Sequence, residues 1–459
     1  VETELRRQVN VFSSKDISYY IISLGCAKNQ VDSERINGAL GSAGFVQAGS
    51  SEQADIIIIN TCGFVTEAKE ESIEVIFDAL EQQKAAGKKN LKKYYQESRV
   101  LDRDFGRRVA VAGCLSQRYR EELEMEIPEV DFIHGIPGKS FVELLARKFG
   151  IAIGRYASLR APLQPGLPYS YVKISEGCSN NCSYCAIPLI RGPLISYPVE
   201  LILDEARREA ARGARELVIV AQDISAYRWE DIGLPELARA LSRIDGVEWI
   251  RLMYCHPDNL DDHIIESFRA EKVVPYIDIP FQHASGRILR SMGRRGGTGA
   301  YLALVERLRE RVPEIRIRST FIVGYPGETG ADFEELTNFI EVACLDRVGS
   351  FLYSPEEGTR AWDLGDPVAD AVKKERYHRI MSLQRDISSR KLAAMAGKTV
   401  RVLVEEKVDE TTSSGRTEYD APEVDGIFYL TGGDAAINSI VDARVTGATE
   451  YDLIGEIVL

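Results

Sequence analysis

Short apolar runs alternate with amphipathic stretches along the first third of the chain. Residues 19–24, 56–59 and 109–112 are apolar at consecutive positions, the pattern of strands buried on both faces. Residues 31–40, 66–80 and 117–125 instead carry apolar side chains at helical spacing. This β/α alternation predicts a parallel, doubly wound sheet over about residues 19–150. The stretch from Gly87 to Arg108 is charge-rich and aperiodic, with Lys88, Lys89, Lys92, Lys93, Arg103 and Arg107, and reads as a solvated loop.

After Arg155 a proline-rich connector spans residues 161–168. Six strand-like runs follow at 171–174, 216–221, 248–254, 276–280, 315–323 and 348–353, with helical patterns at 199–211, 234–241, 298–312 and 332–342. Repeated β/α units predict an open or closed barrel of parallel strands whose chemistry sits at the strands' carboxyl ends. From Gly397 the pattern changes to short strands and polar turns, at 399–405, 426–430, 439–446 and 450–458. These read as a small five-stranded barrel or sandwich, in the size class of oligonucleotide-binding folds. The expected organisation is α/β and multidomain: an N-terminal extension (1–16), a doubly wound α/β domain (17–155), a linker (156–168), a partial (β/α)6 barrel (169–391) and a small antiparallel barrel (392–459).

At 459 residues, with 44% hydrophobic and 28% charged positions, the composition is that of a globular protein with ample core. No apolar stretch is long enough to span a bilayer, and Val1-Glu-Thr-Glu-Leu-Arg-Arg7 does not read as a signal peptide, so a cytoplasmic location is expected. The net charge of -13 argues against an extensive nucleic-acid-binding surface and favours a basic partner. The segment from Gly397 onward is itself acidic, with 13 Asp and Glu against 5 Lys and Arg.

The eight cysteines are too sparse for a disulfide scaffold. Three of them occur in Ile174-Ser-Glu-Gly-Cys-Ser-Asn-Asn-Cys-Ser-Tyr-Cys-Ala-Ile-Pro188, a C-x3-C-x2-C run just after the first barrel strand. Cys178, Cys182 and Cys185 can ligate three irons of a cubane and leave the fourth open to an outside ligand. That spacing at the head of a β/α repeat resembles the radical S-adenosylmethionine (SAM) superfamily, in which the open iron chelates SAM. The alternatives are a zinc site completed by a distant fourth ligand and a purely structural cluster.

Three further cysteines each follow an N-terminal strand: Cys26 in Ser23-Leu-Gly-Cys-Ala-Lys-Asn29, Cys62 in Asn60-Thr-Cys-Gly63, and Cys114 in Ala112-Gly-Cys-Leu115. Parallel strands present their carboxyl ends along one edge, so residues far apart in sequence converge there. A glycine beside each cysteine (Gly25, Gly63, Gly113) permits tight turns and close backbone approach. Buried core thiols are the competing explanation.

With two cysteine triplets and these three domains in this order, the chain resembles the radical SAM methylthiotransferase family over nearly its whole length. The resemblance implies an N-terminal domain with an auxiliary 4Fe-4S cluster on Cys26, Cys62 and Cys114, a radical SAM domain with its 4Fe-4S cluster on Cys178, Cys182 and Cys185, and a C-terminal TRAM domain. One branch of the family modifies isopentenyl-adenosine in tRNA; the other modifies an aspartate in the twelfth protein of the small ribosomal subunit. Ser23-Leu-Gly-Cys-Ala-Lys-Asn29 with Val31-Asp-Ser-Glu34, Pro280-Phe-Gln-His-Ala-Ser285 and Asp420-Ala-Pro-Glu-Val-Asp-Gly426 are similar to the second branch. The partners so implied are that ribosomal protein, free or in the assembled subunit, and an external electron donor, with no membrane and with tRNA disfavoured. A tRNA methylthiotransferase and a noncatalytic electron-transfer protein are the rival readings.

Tyr184, Gln222, Asp223, Thr320, Gly324 and Glu328 stand where family members contact SAM, although a plain strand-to-helix turn explains the glycine equally well. Cys255 and Cys344 match no family ligand and read as core thiols, with Cys255 and His256 at a strand end as a candidate mouth lining. His283 reads as a strand-end hydrogen-bonding residue.

Overall fold

The computed structural model describes residues 12–94, 105–157, 159–433 and 435–458. Two compact units make up the chain. One runs to Pro165 and takes in Leu189–Arg191; the other comprises Gly166–Pro188 and the chain from Gly192 onward.

In the first unit, strands Ser18–Ser23, Ile56–Thr61 and Arg108–Gly113 form the centre of a parallel five-stranded sheet, flanked by two-residue strands Val46–Gln47 and Phe132–Ile133. Every residue of Ile56–Thr61 is buried. Its alternate side chains serve opposite faces: Ile56 and Ile58 pack with Ile36, Leu40, Phe141 and Leu145, while Ile57 and Ile59 pack with Ile76, Leu80 and Leu123. Helices therefore cover both sides, as the doubly wound reading requires.

Two local expectations change. The helix beginning at Thr66 runs to Tyr94, over the first part of the loop expected from Gly87, and Arg108 opens a strand. Ala and Lys are strong helix formers, and no proline interrupts them, so propensity carries the helix beyond its apolar stripe. Residues 95–104 of that stretch lie outside the described residues. The helix expected at 117–125 is divided into Cys114–Arg118 and Arg120–Glu126 by Tyr119, whose backbone leaves the helical region.

In the second unit, the six expected strands form one parallel sheet in sequence order: Tyr169–Lys173, Glu216–Val220, Trp249–Leu252, Val273–Asp278, Arg316–Val323 and Arg347–Leu352. Helices Val199–Ala211, Leu234–Leu241, Thr298–Arg311 and Gly330–Ala343 cover it. A continuous apolar core joins both layers. The result is an open six-stranded (β/α) barrel. A long helix, Asp370–Ala393, leads to the last domain.

That last domain is a closed barrel of five strands, Thr399–Lys407, Ser413–Thr417, Phe428–Thr431, Ile440–Ala448 and Leu453–Ile457. Ser413-Ser-Gly-Arg-Thr417 lies between the strands expected at 399–405 and 426–430 and supplies the fifth strand, with all five residues buried. Ion pairing at the amino ends of the larger barrel's strands is the reason. Arg416 donates to Glu216 at 2.7 Å and to Glu405 at 2.7 Å, and Glu216 also accepts from Arg251 at 2.6 Å. Asp420 pairs with Arg347 at 2.7 Å, and Tyr276 donates to Asp425 at 2.6 Å. Buried pairs of this kind add little net stability but are costly to break singly, so they specify one docking geometry. They also reduce the acidic surface read from composition, because Glu405, Asp420 and Asp425 face arginines or a tyrosine rather than solvent. Among the described residues no helix is long and apolar enough to cross a membrane.

Candidate functional site

The N-terminal sheet delivers its three cysteines at one edge. Cys26 is the residue before helix Ala27–Ser42, Cys62 follows strand Ile56–Thr61, and Cys114 follows strand Arg108–Gly113. Gly25 has φ +87°, and a Cβ there would lie 2.8 Å from Cys62 Cβ and 2.9 Å from its Sγ. A Cβ on Gly63 would lie 2.8 Å from the backbone of Leu115. The three loops thus approach one another as closely as backbone permits, and glycine is a steric requirement.

Buried amides fix that approach. Asn29 donates to the carbonyls of Leu24 and Thr61, both at 2.9 Å, and Asn60 donates to the Asn29 carbonyl and to Ser33 Oγ, both at 2.8 Å. Arg191, also of this unit, donates to Cys114 Sγ from Nε at 3.4 Å and from Nη2 at 3.3 Å. The same guanidinium pairs with Asp32 at 3.0 Å and donates to Asn29 Oδ1 at 2.5 Å. Asn29, Asp32, Ser33 and Glu34, which carried the branch resemblance, are therefore the polar frame behind the cysteines; Glu34 itself is paired with Arg160.

Desolvation would raise the Cys26 thiol, but Lys28, the Asn29 amide and Arg191 outweigh it and hold it below the usual value. Burial raises Cys62 and pushes Cys114 up to about 11 against the pull of Arg191.

The second triplet is local. Cys178, Cys182 and Cys185 are half-buried in the loop after the first barrel strand. Gly177 has φ +73°, and a Cβ would meet the Pro193 carbonyl oxygen at 2.2 Å. The Cys178 amide donates to the Gly192 carbonyl and the Cys185 amide to that of Cys182. Burial raises Cys178 and pushes Cys185 up to about 12. Cys182 Sγ has two nitrogen neighbours, Arg294 Nη1 at 3.6 Å and His256 Nε2 at 3.9 Å. Arg294 also donates to Tyr184 Oη at 3.3 Å and to the Pro280 carbonyl at 2.7 Å.

Both donor sets fit a thiolate-held cluster. In the first set the Gly25 backbone abuts Cys62 and the Gly63 backbone abuts Cys114 and Leu115; in the second the Cys185 amide bonds the Cys182 carbonyl within one loop.

The other candidates occupy distinct settings at the barrel's carboxyl ends. Gln222 donates to Glu176 at 3.1 Å, Lys173 donates to the same carboxylate at 2.7 Å, and Gln222 Oε1 is buried without a partner. Asp223 is saturated: it accepts from Ser225, from the His256 amide, and from the Asn180 and Asn259 side chains. Thr320 is half-buried on the fifth strand and its carbonyl accepts from the Gln282 amide at 2.8 Å. Glu328 turns back to the amides of Gly324 and Tyr325 and pairs with Arg376 at 3.0 Å; burial pushes its carboxyl up to about 7. Gly324 has φ +77°, and a Cβ there would strike Lys373.

Residues 172–340 match the radical SAM superfamily, 18–135 match the uncharacterized protein family UPF0004, and 396–458 match the TRAM domain. The chain is 41% identical over 456 residues to the ribosomal protein uS12 methylthiotransferase RimO of Trichlorobacter lovleyi, covering 95% of this chain and 97% of that one. It is 42% identical over 457 residues to the RimO of Syntrophotalea carbinolica, covering 95% and 96%. This chain belongs to the RimO family. Among solved structures, the radical SAM methyltransferase TsrM from Kitasatospora setae, determined with cobalamin and a 4Fe-4S cluster, shares the fold at TM-score 0.51 and 14% identity, over 74% of this chain and 76% of that one.

Sequence reading of this RimO-family chain passed over both arginines. Arg191 and Arg294 resemble surface cations in composition, and nothing in their spacing announces burial; Arg191 is 9% exposed and Arg294 4%. Cys255 is fully buried, with burial, Asp223 and Asp278 holding its thiol well above the usual value, which is core behaviour; its neighbour His256 is the residue that reaches Cys182. Cys344 ends helix Gly330–Ala343 in the left-handed region. His283 is buried, and its Nδ1 accepts from the Ala284 and Ser285 amides at 3.0 and 2.9 Å.

Proposed function

We propose that this chain is a radical SAM methylthiotransferase that inserts sulfur, and then a methyl group, at the β carbon of an aspartate in small-subunit ribosomal protein uS12. Identity of 41% across 95% of the chain to a curated RimO carries the reading. Cys178, Cys182 and Cys185 would hold the cluster that binds SAM, and Cys26, Cys62 and Cys114 the auxiliary cluster, each leaving one iron position open. Bound there, these groups supply one-electron cleavage of SAM for hydrogen abstraction and a position for the transferred sulfur.

The chain's own residues bind and orient. Gly177 admits the backbone of the SAM loop beside Pro193, and Asp223 ties Asn180 of that loop to Asn259 and to the turn before His256. Gln222 Oε1, buried and unbonded, is an acceptor suited to a ribose hydroxyl. Tyr184 lies between Cys182 and Cys185 in the chain, and Arg294 donates to its hydroxyl, which makes it a candidate SAM contact. Thr320 is a further candidate SAM contact. Gly324 and Glu328 serve SAM binding by shaping the turn after the fifth strand.

The substrate partner is a ribosomal protein, in keeping with the acidic balance of the chain; electrons come from an external one-electron donor, and the cytoplasm is the proposed location. The tRNA alternative is not favoured, since the relatives at 41 and 42% identity are uS12 enzymes. Mass spectrometry of uS12 from cells with and without this enzyme tests the proposal: a methylthio mass increase on one aspartate is expected only when the enzyme is present. An unmodified uS12 together with altered tRNA nucleosides would transfer the assignment to the tRNA branch.

A further inference from the structure

A buried guanidinium needs an anion, and the two arginines beside the cysteines meet that need differently. Arg191 has Asp32 at 3.0 Å, with side chains 2% and 4% exposed, so its charge is balanced before any thiolate forms. Arg294 is 4% exposed, and among the described residues it makes no ion pair with a carboxylate. Its partners are neutral or sulfur: the Pro280 carbonyl, the Tyr184 hydroxyl and Cys182 Sγ, with the Tyr301 phenol also beside it. Its Nε is buried with no partner. Leaving a charge in this state is costly unless an anion is bound nearby. Cys182 Sγ, 3.6 Å from Nη1, marks where the guanidinium faces the cysteine triplet. The sulfur has a second donor as well: His256 Nδ1 accepts from the Asp258 amide, so the neutral ring carries its proton on Nε2, which faces Cys182 Sγ at 3.9 Å.

We propose that Arg294 is the fixed counter-charge of the barrel's thiolate triplet: a positioning residue that, through Cys182 and assisted by the His256 N–H, raises the reduction potential of the cluster held there. The proposal rests on the assignment of Cys178, Cys182 and Cys185 as that cluster's ligands. Reduction adds one electron from an external low-potential donor to a thiolate-ligated centre. A positive charge and N–H donors at one sulfur favour the more negative, reduced form. At the other triplet the arginine is already paired with Asp32, and Lys28 is a further cation acting on Cys26.

The test is a potentiometric titration of the anaerobically reconstituted holoenzyme followed by electron paramagnetic resonance, taking the signal that changes on adding SAM as the barrel's cluster. Arg294→Gln is expected to lower the equilibrium constant for its reduction about tenfold, which is about 59 mV for one electron, while Arg294→Lys stays close to wild type and the second signal stays in place in both. A Gln variant that holds the cluster at the wild-type potential overturns the proposal. Should the Gln variant lose the cluster, recovery of iron in Arg294→Lys supports a charge requirement. Loss in both variants, with thermal unfolding unchanged, overturns it in favour of side-chain shape. Cys182→Ala separates the underlying assignment: if it keeps the wild-type iron content and SAM-responsive signal, the ligand assignment fails, whatever Arg294 does.

Discussion

The two cysteine triplets meet the same chemical demand by opposite routes. In the barrel, one loop carries all three cysteines, so their spacing is covalent and the neighbouring strand merely has to present the loop. In the N-terminal unit the cysteines come from three strand ends, and their proximity depends on sheet order, on glycines at Gly25 and Gly63 that admit no Cβ, and on the Asn29 and Asn60 side chains that tie the loops together. Electrostatics differ in parallel: Arg191 is paired with the Asp32 carboxylate, whereas among the described residues Arg294 pairs with no carboxylate and faces Cys182 Sγ. Burial pushes the Cys185 thiol up to about 12 and Arg294 opposes that rise, as Lys28 and Arg191 oppose burial at Cys26.

Exchanging single cysteines gives the largest expected contrast. Cys178→Ala should abolish release of 5′-deoxyadenosine from SAM, while Cys62→Ala should retain that cleavage and form no methylthio product. Equal loss of both activities in two folded variants would break the division between sites.

Next in size is the cost of removing Arg191. Arg191→Gln removes the guanidinium that pairs with buried Asp32, which should destabilise the first unit by roughly 3–5 kcal/mol, and adding Asp32→Asn should recover most of it. Denaturant unfolding of the single and double variants measures this. Failure of the double variant to recover would mean that the N–H contacts to Cys114 and Asn29, rather than charge balance, hold the arginine's stabilising role.

A smaller, pH-dependent difference concerns the loop that lends Arg294 its Pro280 carbonyl. His283 in that loop is held down to about 4 by burial, with Asp332 opposing and Arg376 and Arg287 assisting, against an ordinary 6.5. Its stabilising contribution is complete above pH 6.5, where folded and unfolded rings are both neutral. It is lost as pH falls toward 4, because the unfolded ring takes a proton that the folded one refuses; the full effect is on the order of 3 kcal/mol. His283→Asn, which can still accept from the two amides, should flatten the fall in melting temperature between pH 6.5 and 4. An unchanged slope would place the acid sensitivity elsewhere.

Much of the fold was legible because burial leaves a periodic trace. The continuous apolar run Ile56–Ile59 marks a strand covered on both faces, and helices Val199–Ala211 and Leu234–Leu241 match their expected bounds. Ser413–Thr417 left no such trace, because its burial is polar and requires Glu216 from a distant strand. The helix runs on to Tyr94 because intrinsic propensity outlasts amphipathicity. At the sites, cysteine and glycine were visible by type and spacing. Arg191, Arg294 and His256 were not, since a buried cation and a surface cation look the same in sequence.

The sequence by itself determined the cysteine spacing, the β/α periodicity and the family, because thiols at fixed spacing and apolar residues at fixed period are local properties of a chain. Only the tertiary structure decided which charges are balanced. Electrostatic neutrality depends on distance through space, and Asp32, distant in sequence from Arg191, lies beside it, while no carboxylate pairs with Arg294 among the described residues.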